Sequence, residues 1–180
     1  MIRKLREPVS GLTHLGAALL ALPGVVLLLM LSRGDIARQL TLLVYGLGLV
    51  LMFSASAAYH LVQSTPKVIL GLRKFDHSAI YLMIAGTYTP ICYQYLTGAW
   101  RWSLLATIWF LAVAGIVVKL FVIKAPRWIT AGIYLIMGWM AIIAIQEILR
   151  LMPPAAVAWL LAGGIFFTLG AVIYIAKWPD

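Results

Sequence analysis

Residues 40–61 read LTLLVYGLGLVLMFSASAAYHL, a run of 22 residues with no Asp, Glu, Lys or Arg. At a rise of ~1.5 Å per residue such a run, if helical, crosses a hydrocarbon core of ~30 Å. In lipid every backbone N–H and C=O has to be satisfied within the chain, so only helices or a closed barrel can span. Barrel strands would alternate polar and apolar side chains over about ten residues, and this run does not alternate. It is therefore read as a membrane helix.

Five further runs have the same character: Leu12 to Ser32, Ser78 to Leu96, Trp102 to Ile123, Trp128 to Leu149, and Ala155 to Ala176. The chain as a whole agrees. Its 180 residues are 64% hydrophobic with a mean hydropathy of +1.02, against roughly 45–50% apolar content in soluble domains. The expected fold class is all-α: one polytopic transmembrane helix bundle over residues 1–180, with six spans and short connections that make successive helices antiparallel neighbours.

The net charge of +9 does not signal nucleic acid, because the Lys and Arg residues lie between the apolar runs and leave no basic stripe. They set orientation instead. With the N-terminus inside, the inner loops hold Arg3, Lys4, Arg6, Lys67, Arg73, Lys74, Lys119, Lys124, Arg127 and Lys177, and the outer loops only Arg33, Arg38, Arg101 and Arg150. Ten against four obeys the positive-inside rule. The expectation is a multi-pass protein of the plasma (inner) membrane with a cytoplasmic N-terminus. Trp100, Trp102, Trp128, Trp159 and Trp178 lie mostly near run ends, where amphipathic rings favour the interface. Gly46, Gly48, Gly163, Gly164 and Gly170 are read as sites of close helix approach. The single cysteine, Cys92, excludes a disulfide framework and a cysteine-based metal site.

Ionisable residues in or beside membrane helices are costly and mark candidate sites. His60 closes the second run, and Ser56, one turn earlier, shares its face at i, i+4 spacing. Asp76, read as opening the third helix, is expected at the same cytoplasmic depth as His60. Imidazole and carboxylate are both zinc donors, so this group can ligate a metal or position a water. The alternative is an interfacial histidine and a helix N-cap. His77 points to another face, and His14, in the first turn of the first helix, is a further candidate for touching the site.

The order S-x3-H in SASAAYH, the Asp of KFDHSAIY and the run AGTYTP resemble the haemolysin III family of bacterial membrane proteins, from REPVSGLTHLGA through to KWPD. That family is similar to the progestin and adiponectin receptors and to alkaline ceramidases. The resemblance implies seven helices and a zinc ion near the cytoplasmic face. It implies a zinc ligand at His60, a water-orienting catalytic acid at Asp76 and a polar catalytic neighbour at Ser56. Two further ligands would come from an H-x3-H motif on a seventh helix. This chain reaches Asp180 after six runs and contains no H-x3-H. The expectation is a chain truncated before that helix, with weakened zinc binding.

Three functions follow from the resemblance. The first is a zinc-dependent hydrolase of a lipid amide or ester, or a regulator or receptor of membrane homeostasis, with membrane lipid as partner, substrate or ligand. The second is cytolysis, and the third a passive bundle without catalysis. Substrate and oligomeric state are not legible.

Overall fold

The computed structural model describes residues 5–122 and 124–177. Arg3, Lys4, Ile123, Trp178 and Asp180, named above, lie outside them. Helix α1 covers Pro8–Leu31, α2 Ile36–Leu61, α3 Pro66–Tyr95 and α4 Gly98–Phe121. The fifth span is α5 (Arg127–Trp139), a 3-10 segment at Met140–Ala144 and α6 (Ile145–Leu151), and the last is α7 (Pro154–Ala176). Among the described residues the protein is all-α, a polytopic helical bundle.

Local chemistry sets the helix starts. Pro8, Pro66 and Pro154 occupy the first helical position, where a missing N–H is harmless and φ is already helical. Asp35 caps α2 by accepting from the backbone N–H of Arg38 at 2.9 Å. Gly34 and Gly98 adopt positive φ (93° and 54°) in the tight connections before α2 and at the start of α4, a conformation that costs other residues a Cβ clash.

Five spans are long and apolar enough to cross a membrane: α1, α2, α4, the α5–α6 span and α7. Helix α3 is longer, at 30 residues, but less apolar. Its position explains this. It packs against α2, α4 and α5, while α1 lies outside α2 and α7 lies beside α5. A helix ringed by protein has no need of lipid-facing side chains, and α3 supplies Tyr81, Ile84, Ala85, Tyr88, Cys92 and Leu96 to the core. These meet Leu104, Ile108 and Ala112 of α4 and Tyr134 and Met137 of α5. By contrast α7 buries no residue, as lipid-solvated helices can.

Small residues bring the backbones together. A Cβ on Gly48 would sit 3.5 Å from the Leu82 carbonyl oxygen, and one on Gly86 3.3 Å from that of Val44, so α2 and α3 approach almost backbone to backbone. Gly46 faces Val25 and Gly164 faces Trp139, but Gly163 and Gly170 face open space, contrary to expectation.

Two boundaries differ from the sequence reading. Helix α3 starts at Pro66 with Thr65 as its cap, so Asp76 is no N-cap and lies ten residues inside the helix, ~15 Å from its start. The fifth span is not one α-helix. At Met140–Ala144 it tightens to 3-10, and the Tyr88 hydroxyl lies against the switch, within 3.0 Å and 2.8 Å of the Met137 and Gly138 carbonyl oxygens. The same oxygen accepts the backbone N–H of Ala141 at 2.9 Å. One phenol thus bonds backbone groups on both sides of the change in helix type.

Candidate functional site

Three helix segments meet at the end of the bundle that carries the α2–α3 turn: the start of α1, the last two turns of α2 and the first half of α3. Close approach is built into the α1–α2 pair, since a Cβ on Gly11 would fall 2.4 Å from the Leu61 side chain. Ala55 and Ala57 flank Ser56 and are themselves buried, which lets α1 and α3 close over that serine.

Ser56 is the hub. It is 7% exposed and its hydroxyl lies 2.7 Å from His14 Nδ1. Asp76, 8% exposed, lies beside the same hydroxyl. A hydroxyl has one hydrogen to give. With the Ser56 hydroxyl turned to an ionised Asp76, which can only accept, His14 would donate through Nδ1–H. The His14 Nε2 lone pair is left free.

His60 lies one turn closer to the end of α2. Its Nδ1 is 2.6 Å from Glu7 Oε2, and the backbone N–H of Glu7 donates to the His60 carbonyl at 2.9 Å. Arg6 approaches the other Glu7 oxygen at 3.4 Å and lies over the Tyr59 ring at 4.1 Å. With Nδ1–H turned to Glu7, His60 also keeps Nε2 free. The His14 and His60 rings stand 5.9 Å apart, edge to face at 72°, and both lie near enough to Asp76 to act on its carboxylate through space.

The structure therefore places Ser56 and Asp76 in contact and brings His60 to their edge. Asp76 neighbours Ser56, which stands one turn before His60 on α2. His14 is central, not peripheral. Glu7 was missed by sequence reading; its signal was its spacing of seven residues from His14, two turns along one face. His77 faces away, with its carbonyl accepting from the Tyr134 hydroxyl at 2.9 Å.

Two chemistries can be tested against this geometry. A Ser–His–Asp relay needs the imidazole between hydroxyl and carboxylate. Here the hydroxyl lies between the other two, so Ser56 is an anchor for Asp76 and His14. A catalytic zinc normally takes three protein ligands and a water. His14 and His60 present two free imidazole nitrogens with oriented partners behind them, which is how metal-binding histidines are held. Among the described residues, however, no group of three or more His, Cys, Asp or Glu is arranged to hold a metal ion. These side chains alone do not make a zinc shell.

The family described as "Haemolysin-III related" matches residues 2–180. The chain is similar to "Hemolysin-3" of Bacillus cereus, with 37% identity over 173 residues that cover 94% of this chain and 78% of the relative. It is also similar to "Hemolysin-3 homolog" of Bacillus subtilis (strain 168), with 34% identity over 174 residues, 95% of this chain and 81% of the relative.

Proposed function

Since the chain belongs to the haemolysin III family and is a multi-pass membrane protein, we propose that the cluster of Glu7, His14, Ser56, His60 and Asp76 is its working centre, a hydrolytic site for a lipid amide or ester. The observation that carries this reading is Asp76. A carboxylate 8% exposed within a membrane bundle, with a serine hydroxyl and two imidazoles near it, is costly to maintain and has the groups around it that proton transfer requires.

In this reading Asp76 takes the proton of an attacking water. Ser56 fixes one carboxylate oxygen, and His14 fixes Ser56. His60, oriented by Glu7, offers Nε2 towards the reacting group. Zinc, when bound, would polarise the carbonyl. Of the described residues, His14 and His60 are the ones whose imidazoles would contribute to its shell. The charge bias of the loops supports a cytoplasmic face for this end of the bundle.

The test is fatty-acid release from a bacterial lipid extract by the purified protein in nanodiscs, with and without added zinc. Release that falls at least ~100-fold in Asp76→Asn is expected, in line with the loss of a general base. Equal release from Asp76→Asn and from the unaltered chain would overturn the reading. The relatives' name favours a second one, lysis of membranes. Dye leakage from liposomes without fatty-acid release, unchanged in Asp76→Asn, would favour cytolysis over hydrolysis.

A further inference from the structure

A cleft of about 430 Å3 opens between α3 and α4, on a side of α3 away from the histidine cluster, lined by Gly71, Lys74, Ser78 and Leu82 of α3 and Ile116 and Leu120 of α4. Its α3 wall is one helical stripe. Lys67, Gly71, Lys74, Ser78 and Leu82 recur at i, i+4, i+7, i+11 and i+15, so they lie on one face in order of depth.

The chemistry changes along that stripe. At the mouth is the Lys74 ammonium, with Lys67 two turns nearer the helix start on the same face, and neither has a carboxylate partner among the described residues. Lys74 donates one N–H to the Leu120 carbonyl across the cleft, in the last turn of α4, and keeps two to give. One turn deeper, ~6 Å along the axis, stands Ser78, 8% exposed, with a buried hydroxyl that has no hydrogen-bond partner. A further turn in, the walls are Leu82 and Ile116. An unpartnered hydroxyl in a low-dielectric wall is costly, and an acceptor from a ligand would relieve it.

We propose that this cleft binds an anionic glycerophospholipid, with its phosphate on Lys74 and Lys67, an ester carbonyl accepting from Ser78 and an acyl chain against Leu82 and Ile116. The order of cation, hydroxyl and apolar wall matches the order of phosphate, ester and chain in such a lipid. Basic clefts between membrane helices recognise anionic headgroups in this way. Gly71 forms the gap between the two lysines, and a Cβ there would meet nothing within 4 Å, so the space is open to a headgroup. The inference does not depend on the hydrolytic reading, because the cleft shares no residue with that cluster.

Native mass spectrometry of the full chain from nanodiscs of equal phosphatidylglycerol and phosphatidylcholine tests it. The expected result is retained phosphatidylglycerol in preference to phosphatidylcholine. Lys74→Gln keeps a donor for the Leu120 carbonyl and removes only the charge, and should lower that preference roughly fivefold, as should Lys67→Gln on the exposed first turn. Gly71→Phe should fill the cleft and abolish retention. Equal retention of both lipids, or an unchanged preference in Lys74→Gln and Lys67→Gln, would overturn the proposal. So would displacement of the lipid by millimolar inorganic phosphate, which would make this a free-anion site. Lys67→Gln disturbs no packing, so its result stands even if another variant fails to fold.

Discussion

Glu7 and His60 are joined twice, by a 2.6 Å contact between carboxylate and imidazole and by a 2.9 Å hydrogen bond from the Glu7 N–H to the His60 carbonyl. The second bond gives a partner to a carbonyl in the last turn of α2, and the first fixes the ring on the same residue. Glu7→Ala removes only the first. Because the Glu7 side chain is about half exposed, its effect on stability should be small, ~1 kcal/mol or less. Its effect on His60 orientation should be larger, and would be read as broadening of the His60 ring signals in NMR spectra of labelled protein. Unchanged signals would show that packing alone holds the ring.

Ser56→Ala takes the hydrogen-bond partner from His14 and the adjacent hydroxyl from Asp76 at a buried position. The expected cost is ~1–3 kcal/mol, seen as a lower melting temperature in detergent. Asp76→Asn in the Ser56→Ala background should cost less than in the unaltered chain, since the two changes break one network. Additive losses would mean that the two side chains act independently.

Tyr88→Phe leaves the Ala141 N–H and a carbonyl at the α5 switch without the phenol oxygen. A loss of ~1–3 kcal/mol is expected, together with faster amide exchange at Ala141. Exchange unchanged at that amide would mean another group takes over.

Two glycines on neighbouring helices should respond oppositely to alanine. A Cβ on Gly115 would fall 2.3 Å from the Tyr81 ring, so Gly115→Ala should destabilise by ~1–3 kcal/mol. Gly132, where a Cβ meets nothing within 4 Å, should gain up to ~1 kcal/mol as alanine, by helix propensity. A melting temperature unchanged or raised in Gly115→Ala would refute the packing shown around Tyr81.

Orientation can be settled by labelling, because Cys92 is fully buried and gives no background. Arg38→Cys should react with a membrane-impermeant maleimide on intact cells, and Lys67→Cys only after lysis. The reverse pattern would invert the topology.

The spans were legible from residues 40–61 and their like because lipid leaves so few options for an apolar run. The start of α3 was not. Lys67, Arg73 and Lys74 read as a loop and Asp76 as the start of the helix, yet a helix can project beyond the hydrocarbon, and Lys74 finds a carbonyl on α4 to bond. His14 was undervalued because its partner, Ser56, is 42 residues away and no local pattern joins them. The change at Met140–Ala144 left no local trace either. MAIIA suits an α-helix, and the group that meets the break, Tyr88, comes from another span.

That break also turns the helix. A 3-10 segment advances ~120° per residue where an α-helix advances ~100°, so five residues add ~100° of rotation, and at ~2.0 Å rise they add ~2.5 Å of length. The azimuth of α6 is therefore offset by about a quarter turn from the one α5 would have projected. Met137 and Ile148, eleven residues apart, would lie ~20° apart on an unbroken α-helix, whereas the 3-10 segment sets them ~120° apart, and both are nonetheless buried in one core cluster. The span works as two short keys cut at different angles on one shaft, and any ligand or partner that straightened it would swing Glu147 and Arg150 around the bundle's far rim.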